Sequence, residues 1–181
     1  MVSIKDNQTN METPRLIHRP FTTEDIPRLV ELRVNPDINK FIGGDEINTP
    51  EWIAKRLQWY LDTYEEFGFG MYAMIWKETG ELIGWSGLQK FGDSGDIDVG
   101  YGMSEEFWGR GIALETAEFW VKYTFTKTDL KKLVAVADVS NTASNKVLAK
   151  VGLIRVGETN HFGMHCYYYE MTKDDYKAFI S

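Results

Sequence analysis

The sequence predicts a mixed α/β fold, a single sheet with helices on its faces. Two apolar runs flank residues 77–81, and the glycine in this short connection indicates a β-hairpin. An alternating run at 96–103 then leads through Gly109-Arg110-Gly111 into a run with helical spacing at 111–125. The next run, 133–137, is continuously apolar, which is typical of a parallel strand covered on both faces. A hairpin followed by a strand–helix–strand crossover therefore predicts a mostly antiparallel sheet with one parallel pair.

Periodicity, capping residues and chain breakers assign the elements in chain order. Strands are predicted at 15–19, 69–76, 82–88, 96–103, 133–137, 153–156 and 164–171. Helices are predicted at 22–34, from 50 onward, and at 111–125, 141–151 and 173–180. Pro20 ends the first strand, Pro50 suits a first helical position, and Gly152 suits a helix C-terminus. Residues 1–10 are polar and are expected to form a loose tail, which leaves 11–181 as one domain.

Composition narrows the class of protein. The 181 residues carry a net charge of −7, which disfavours a general nucleic-acid binder and lets the chain attract a cationic substrate. Cys166 is the only cysteine, so no internal disulfide forms. Residues 1–10 lack the apolar core expected of a signal peptide, and no apolar run approaches the roughly 20 residues that cross a bilayer. We therefore expect a cytoplasmic protein with no membrane or nucleic-acid partner.

The stretch Trp108-Gly109-Arg110-Gly111-Ile112-Ala113 lies between a predicted strand and a predicted helix. The first N–H groups of a helix have no partner inside it and lie at the positive end of its dipole. Glycines let a ligand approach the backbone, and the guanidinium of Arg110 has donors suited to phosphate. We therefore predict that this turn binds a pyrophosphate. No Walker A tripeptide occurs, and Leu114 replaces the third glycine of the dinucleotide fingerprint.

Together with other segments, this turn resembles the GNAT superfamily of N-acetyltransferases, and within it the RimJ/RimL-type branch that acetylates protein N-termini and other amines. The turn resembles the family's Gln/Arg-x-x-Gly-x-Gly/Ala signature, with tryptophan at the first position. The strand before it, Asp98-Val99-Gly100-Tyr101, resembles the acidic-apolar-Gly-Tyr strand of the branch. Three more segments resemble parts of this branch. Residues 12–20 resemble its opening strand, and residues 169–171 resemble its closing strand. Residues 141–153 resemble its Asn-x-x-Ser helix with the following Lys-x-Gly turn. The likeness spans about residues 12–176.

The resemblance implies a GNAT-like fold of about six to seven strands, with the parallel pair beside the cofactor. It implies transfer of an acetyl group from acetyl-CoA to a primary amine by direct attack, the acceptor being a small molecule or a peptide N-terminus. The turn would bind the CoA diphosphate through Trp108, Gly109, Arg110, Gly111, Ile112 and Ala113. Tyr101 and Met103 would pair with pantetheine where the parallel strands part. Asn141 would bind the pantetheine chain, and Ser144 would donate a hydrogen bond or a proton to the CoA sulfur.

The attacking amine must lose a proton, and a carboxylate is the usual group that accepts it. Asp98 is the first candidate, because its strand runs beside the expected thioester. Glu46 is an alternative base, and Glu105 and Glu106 are weaker ones. Ser144 is the candidate that stabilises the leaving thiolate by a hydrogen bond. Simple helix capping remains the alternative for both Asn141 and Ser144.

Other residues give weaker signals. Cys166 has no histidine partner that the sequence reveals. His161 and His165 have helical spacing but lie in strand-like sequence, so no metal site is predicted. Trp52 and Trp85 are candidates to shape the acceptor pocket. Two other functions stay open: a non-catalytic acyl-CoA-binding or regulatory module on the same fold, and a nucleotide-binding protein unrelated to CoA. Exposed strand edges also permit a homodimer.

Overall fold

The computed structural model of the protein describes residues 10–44 and 48–181, and eight strands in these ranges form one sheet. The strands are β1 (Met11–Glu12), β2 (Leu16–Arg19), β3 (Met71–Trp76), β4 (Leu82–Lys90), β5 (Ile97–Met103), β6 (Lys132–Asp138), β7 (Ile154–His161) and β8 (Met164–Thr172). Their spatial order is β1-β2-β3-β4-β5-β6-β8-β7, and β5 and β6 are parallel while the other neighbours are antiparallel. The predicted mixed sheet with one parallel pair is confirmed.

Two strands differ from the sequence prediction. The two-residue β1 adds a strand to the expected six to seven. β7 runs to His161 instead of ending at 156. Its second half is polar and resembles a loop in sequence, but β7 lies at the edge of the described sheet and is mostly exposed, so it needs few apolar residues. Apart from Asn10, the tail predicted at 1–10 lies outside the described residues.

Six α-helices accompany the sheet within the described ranges: α1 (Ile26–Val34), α2 (Pro36–Asn39), α3 (Pro50–Phe67), α4 (Ile112–Lys127), α5 (Thr142–Lys150) and α6 (Lys173–Ile180). α3 begins where predicted, because the Thr49 side chain accepts a hydrogen bond from the Trp52 N–H and Pro50 occupies the first turn. After α5, Gly152 has a φ of 90°, which favours glycine and ends the helix. In the described part of the chain, no helix is both long and apolar enough to cross a membrane.

Two apolar clusters hold these helices on the sheet. The larger cluster joins the sheet to α1, α3 and α4, and Leu29, Tyr60 and Trp120 are fully buried in it. The smaller cluster consists of Leu16, Met74, Ile83, Met103, Phe107 and Ile112. It packs the end of β5 against the start of α4, so the glycine-rich turn between them has a rigid support.

The parallel strands β5 and β6 part soon after they begin. They have a single pair of facing residues, Asp98 and Val134, in the described sheet. The antiparallel neighbours β4 and β5 stay paired along the whole length of β5. The sheet therefore opens beyond Asp98, on the side where β5 leads to the glycine-rich turn.

Candidate active site

A cavity of about 780 Å³ lies along the gap between β5 and β6. One side of it, called the α5 side below, is lined by the glycine-rich turn, the start of α4 and residues of α5. The opposite side, called the α3 side, is lined by α1, α3 and β4 through Arg33, Trp52, Arg56, Tyr60, Trp85 and Gln89. Residues 98–103 of β5 line the cavity between the two sides. The cavity therefore joins two chemically different surfaces where one strand pair opens.

The glycine-rich turn has a backbone conformation that requires its two glycines. Gly109 and Gly111 have φ values of 72° and 75°, in the left-handed region that other residues rarely adopt. Gly111 is the N-cap of α4, and no side chain of the described residues caps this helix start. Ile112 and Ala113 line the cavity, so the unpaired N–H groups of the first helical turn are available to an anion there.

Arg15 holds this turn in place from the loop before β2. Its Nη1 donates a hydrogen bond of 2.7 Å to the Arg110 carbonyl, and its Nε donates one of 2.7 Å to Glu115 on α4. The Thr13 hydroxyl donates to the same carboxylate at 2.6 Å. From the sequence, Arg15 was expected only to belong to the first strand, because contacts across about 100 residues leave no local pattern.

Almost all site residues predicted from the sequence line the cavity: Asp98, Tyr101, Met103, Trp108, Gly109, Gly111, Ile112, Ala113, Asn141 and Ser144. Arg110 is the exception, because it is not among the residues that line the cavity; its guanidinium carbon lies 5.2 Å from the ring centre of Phe107. The Trp108 Nε1 donates a hydrogen bond of 3.0 Å to the Met103 carbonyl. That bond occupies a backbone acceptor that we expected to face pantetheine.

On the α5 side, the hydroxyl oxygens of Tyr101 and Ser144 lie 3.1 Å apart. Burial raises the pKa of Tyr101 above its usual value, so the phenol keeps its proton at neutral pH. The Asn141 side chain accepts a hydrogen bond of 3.1 Å from the Ser144 N–H and caps α5, as the capping alternative expected. Tyr101 was predicted from the sequence for its backbone alone, whereas its hydroxyl group also pairs with that of Ser144 beside the gap.

Asp98 is a buried carboxylic acid at the point where β5 and β6 part. The Gln89 Nε2 donates a hydrogen bond of 2.9 Å to its Oδ2. Its Oδ1 has no hydrogen-bond partner of ordinary geometry among the described residues, although the nearby Val136 N–H favours the charged form. Burial outweighs these effects and raises the pKa of Asp98 to about 7. A carboxylate with this pKa is suited to exchange a proton at neutral pH.

Gln89 is held in turn by Arg56, whose Nη2 donates a hydrogen bond of 2.6 Å to Oε1. The amide therefore directs its NH2 group toward Asp98. The Arg56 charge lowers the pKa of Asp98, but by less than burial raises it. Neither residue was predicted from the sequence, because an arginine on α3 and a glutamine on β4 have no distinctive spacing.

A second cation, Arg33 of α1, lies on the α3 side and is 6% exposed. Its guanidinium carbon lies 4.7 Å from the ring centre of Trp85 and 5.3 Å from that of Trp52. Its Nε donates a hydrogen bond of 3.0 Å to the Asn48 side-chain oxygen. The two tryptophans suggested for the acceptor pocket thus line the cavity together with an arginine that sequence analysis did not identify.

The remaining candidates are less suited to chemistry. Cys166 lines the cavity, but burial raises the pKa of its thiol to about 11, so the thiol stays protonated and weakly nucleophilic. His161 ends β7 and His165 lies in β8, and no group of His, Cys, Asp or Glu within the described residues is arranged to hold a metal. Of the alternative bases, Glu105 and Glu106 are exposed residues of a short 3-10 helix. Glu46 lies outside the described residues.

A mixed sheet that opens at one parallel pair, beside an uncapped glycine-rich helix start, is the architecture of an N-acetyltransferase. Residues 15–154 match the acetyltransferase (GNAT) domain, and the chain belongs to this family. The family resemblance drawn from the ordered motifs is therefore confirmed.

Relatives and solved structures agree with this assignment. The chain is 28% identical to the uncharacterized N-acetyltransferase YoaA of Bacillus subtilis, over 81% of this chain and 84% of YoaA. The structure of the RimL ribosomal L7/L12 α-N-protein acetyltransferase with coenzyme A is 18% identical, with a TM-score of 0.76 over 92% of this chain and 99% of that one. The spermidine N-acetyltransferase of Vibrio cholerae, with CoA and spermine, is 15% identical, with a TM-score of 0.73 over 91% and 99%. At such identities these two structures show a shared fold.

Proposed function

We propose that the protein is an acetyl-CoA-dependent N-acetyltransferase of RimJ/RimL type that acetylates a primary amine by direct attack. One observation carries the proposal: a single cavity joins an uncapped glycine-rich helix start to a buried carboxylic acid with a pKa of about 7. Family membership supports the reaction class, and the CoA in the two neighbouring complexes supports the co-substrate. The acidic composition and single cysteine fit a cytoplasmic enzyme.

The α5 side fits acetyl-CoA, which supplies an activated acetyl group when bound. The N–H groups of residues 109–113 would bind the diphosphate, since the positive end of the α4 dipole favours negative charge there. Lys146 and Lys150 line the same side and add positive charge. Beyond Asp98, β5 has no paired strand on its β6 side in the described sheet, so its backbone can bind the pantetheine amides.

The proposed reaction needs a proton acceptor for the amine and a donor for the departing sulfur. Attack by the amine on the thioester carbon forms the N–C bond and breaks the C–S bond. Asp98 accepts the proton that the amine loses, directly or through a water molecule. Tyr101 donates a hydrogen bond or its proton to the departing sulfur, and Ser144 orients the phenol through the hydroxyl contact of 3.1 Å. The products are an acetamide and the CoA thiol.

The test offers acetyl-CoA with peptides, amino acids, polyamines and amino sugars and measures released thiol. We expect turnover with at least one acceptor, and we expect Asp98→Asn to lower kcat by about 100-fold or more while CoA still binds. Asp96→Asn is the matched control and should keep activity, because Asp96 pairs with Lys132 at 2.9 Å and does not line the cavity.

Two other results would reject the proposal. CoA binding measured by calorimetry, without transfer to any acceptor, would identify a non-catalytic module. Thermal stabilisation by ATP or NAD but not by CoA would identify a different nucleotide-binding protein, because a ligand raises the melting temperature of the native state that it binds.

A further inference from the structure

Arg33 is buried without a carboxylate partner among the described residues, unlike the half-buried Arg15 and Arg19. Arg15 pairs with Glu115 at 2.7 Å, and Arg19 pairs with Asp25 at 2.7 Å. Arg33 is the most buried of the three, yet no carboxylate of residues 10–44 and 48–181 forms an ion pair with it. Its only hydrogen bond to the described residues runs from Nε to Asn48, so both terminal NH2 groups have no acceptor there.

This arrangement leaves a positive charge at the cavity wall. Burial lowers the pKa of Arg33, but an arginine stays protonated in proteins. A buried charge costs free energy unless an opposite charge and hydrogen bonds compensate it. Asn48 supplies a neutral oxygen alone, and its own NH2 group is fixed by hydrogen bonds to Asn39 and Gly44. The two free NH2 groups form the planar fork that binds an oxyanion through two parallel hydrogen bonds.

A second cation, Arg56, adds to the positive charge of Arg33 on the α3 side. Arg56 lines it, and the Arg56 Nε is buried without a hydrogen-bond partner among the described residues. Asp98 is the carboxylic acid nearest these cations along the cavity, and Asp138 lies at its α5 side. The local charge is thus positive, although the net charge of −7 favoured a cationic substrate.

The aromatic rings of this side already contact cations of the protein itself. Arg33 lies against Trp52 and Trp85, and Arg56 lies 5.5 Å from the ring centre of Trp52 and 5.3 Å from that of Tyr60. Such ring faces are the usual sites for a substrate ammonium group. A polyamine would therefore meet two guanidinium groups where it needs anions or free rings.

We propose, resting on the acetyltransferase function above, that the acceptor is a small primary amine that also bears a carboxylate or phosphate group, which Arg33 binds on the α3 side. The negative group fills the two free NH2 positions of Arg33, and the amine lies toward Asp98 at the opening of the sheet. The negative group of the acceptor then forms the ion pair that Arg33 lacks in the described residues. This negative charge distinguishes the acceptor from cationic substrates such as spermidine.

Matched acceptor pairs test this directly. Glycine is compared with glycinamide, a dipeptide with its C-terminal amide, and phosphoethanolamine with ethanolamine, with spermidine as the cationic arm. We expect kcat/KM at least about 100-fold higher for the negatively charged member of at least one pair. Arg33→Gln should remove that preference through KM while CoA affinity is unchanged. Arg28→Gln is the control on the same helix, because Arg28 pairs with Glu31 and Glu81 at the surface. Transfer to amides and spermidine as fast as to anions would overturn the inference and leave the acetyltransferase function intact.

A binding measurement separates the inference from catalysis. N-acetylglycine and N-acetylglycinamide cannot accept an acetyl group, and they differ in the carboxylate. In the CoA complex, N-acetylglycine should change the tryptophan fluorescence, since Trp52 and Trp85 flank Arg33, and Arg33→Gln should abolish the change. Equal binding of both compounds would refute the anion site even if no acceptor were ever acetylated.

Discussion

Gln89 and Asp98 face each other across β4 and β5, and the Gln89 Nε2 donates a hydrogen bond of 2.9 Å to the Asp98 Oδ2. The same amide accepts a hydrogen bond of 2.6 Å from Arg56, which fixes its orientation. Burial raises the pKa of Asp98, whereas this amide and the Arg56 charge lower it. The resulting Asp98 pKa of about 7 therefore depends on Gln89, although Gln89 does not itself accept a proton.

The first prediction concerns the pH dependence of the reaction. A base must be ionised to accept a proton, so kcat/KM should rise with pH and level off above the Asp98 pKa of about 7. Initial rates at saturating acetyl-CoA, measured with an acceptor whose amine pKa lies well above this range, give the profile. A rate that is flat through this range in the chain with Asp98 intact would argue against Asp98 as the base.

The second prediction changes Gln89 without touching the carboxylate. Gln89→Leu removes a hydrogen bond that favours the charged form, so the rising limb of the pH profile should move to higher pH by about one unit. At high pH the rate should recover toward that of the unchanged protein. Gln58→Leu is the control, because Gln58 lies on the exposed face of α3 and bonds to Asp62. A uniform loss of rate at every pH would indicate distortion of the site instead.

The third prediction separates the two hydroxyl groups of the α5 side. Tyr101→Phe should lower kcat by about 10-fold to 100-fold, and Ser144→Ala by less, because a phenol remains a stronger acid than an aliphatic alcohol even when burial raises its pKa. CoA affinity should change little in either variant. Tyr169→Phe removes a phenol that bonds to Asn145 away from the cavity and should keep kcat. If Ser144→Ala lowers kcat more than Tyr101→Phe does, Ser144 rather than Tyr101 donates to the departing sulfur.

The fourth prediction compares two glycines of β5. A Cβ at Gly102 would lie 2.3 Å from the Trp85 ring, whereas one at Gly100 would have its nearest neighbour at 3.5 Å. Gly102→Ala should therefore displace Trp85 and destabilise the protein by about 1–3 kcal/mol. Because Trp85 flanks Arg33, the KM for the acceptor should also rise while CoA binding is kept. Gly100→Ala should be close to neutral in thermal unfolding, and equal losses in both variants would contradict the crowding argument.

The parts of the site that sequence reasoning predicted depend on local patterns. The turn at 108–113 follows from glycines between a strand and a helix, and Asp98 follows from its place on that strand. Contacts between distant segments leave no such pattern. The Tyr101–Ser144 pair joins residues 43 positions apart, and Arg15 reaches Glu115 across 100. Arg33 was missed for a further reason, since an arginine in an amphipathic helix normally indicates a solvated face, and its burial arises from tertiary packing alone.

The last prediction concerns stability, where His18 and Asp98 should act in opposite directions. His18 is fully buried on β2, and burial lowers its pKa from 6.5 to about 4. Between these values only the unfolded chain binds the proton, so this histidine makes the native state more stable as pH rises. The pKa of Asp98 is raised from 3.8 to about 7, so only the native state binds that proton, and stability falls as pH rises. Each slope is about 1.4 kcal/mol per pH unit, so the two nearly cancel between about pH 4 and 6.5.

Single variants should expose each slope. In urea unfolding at a series of pH values, Asp98→Asn should gain stability as pH rises from about 4 to 6.5, by about 3 kcal/mol relative to the unchanged chain. His18→Gln should lose stability over the same range by a similar amount, and the double variant should return to the shallow dependence of the unchanged chain. His18 and Asp98 lie three strands apart, at about 4.8 Å per strand, so their effects should add. Groups such as Asp25 titrate in all four chains and drop out of the comparison. Parallel pH curves in all four chains would show that neither pKa is shifted by burial.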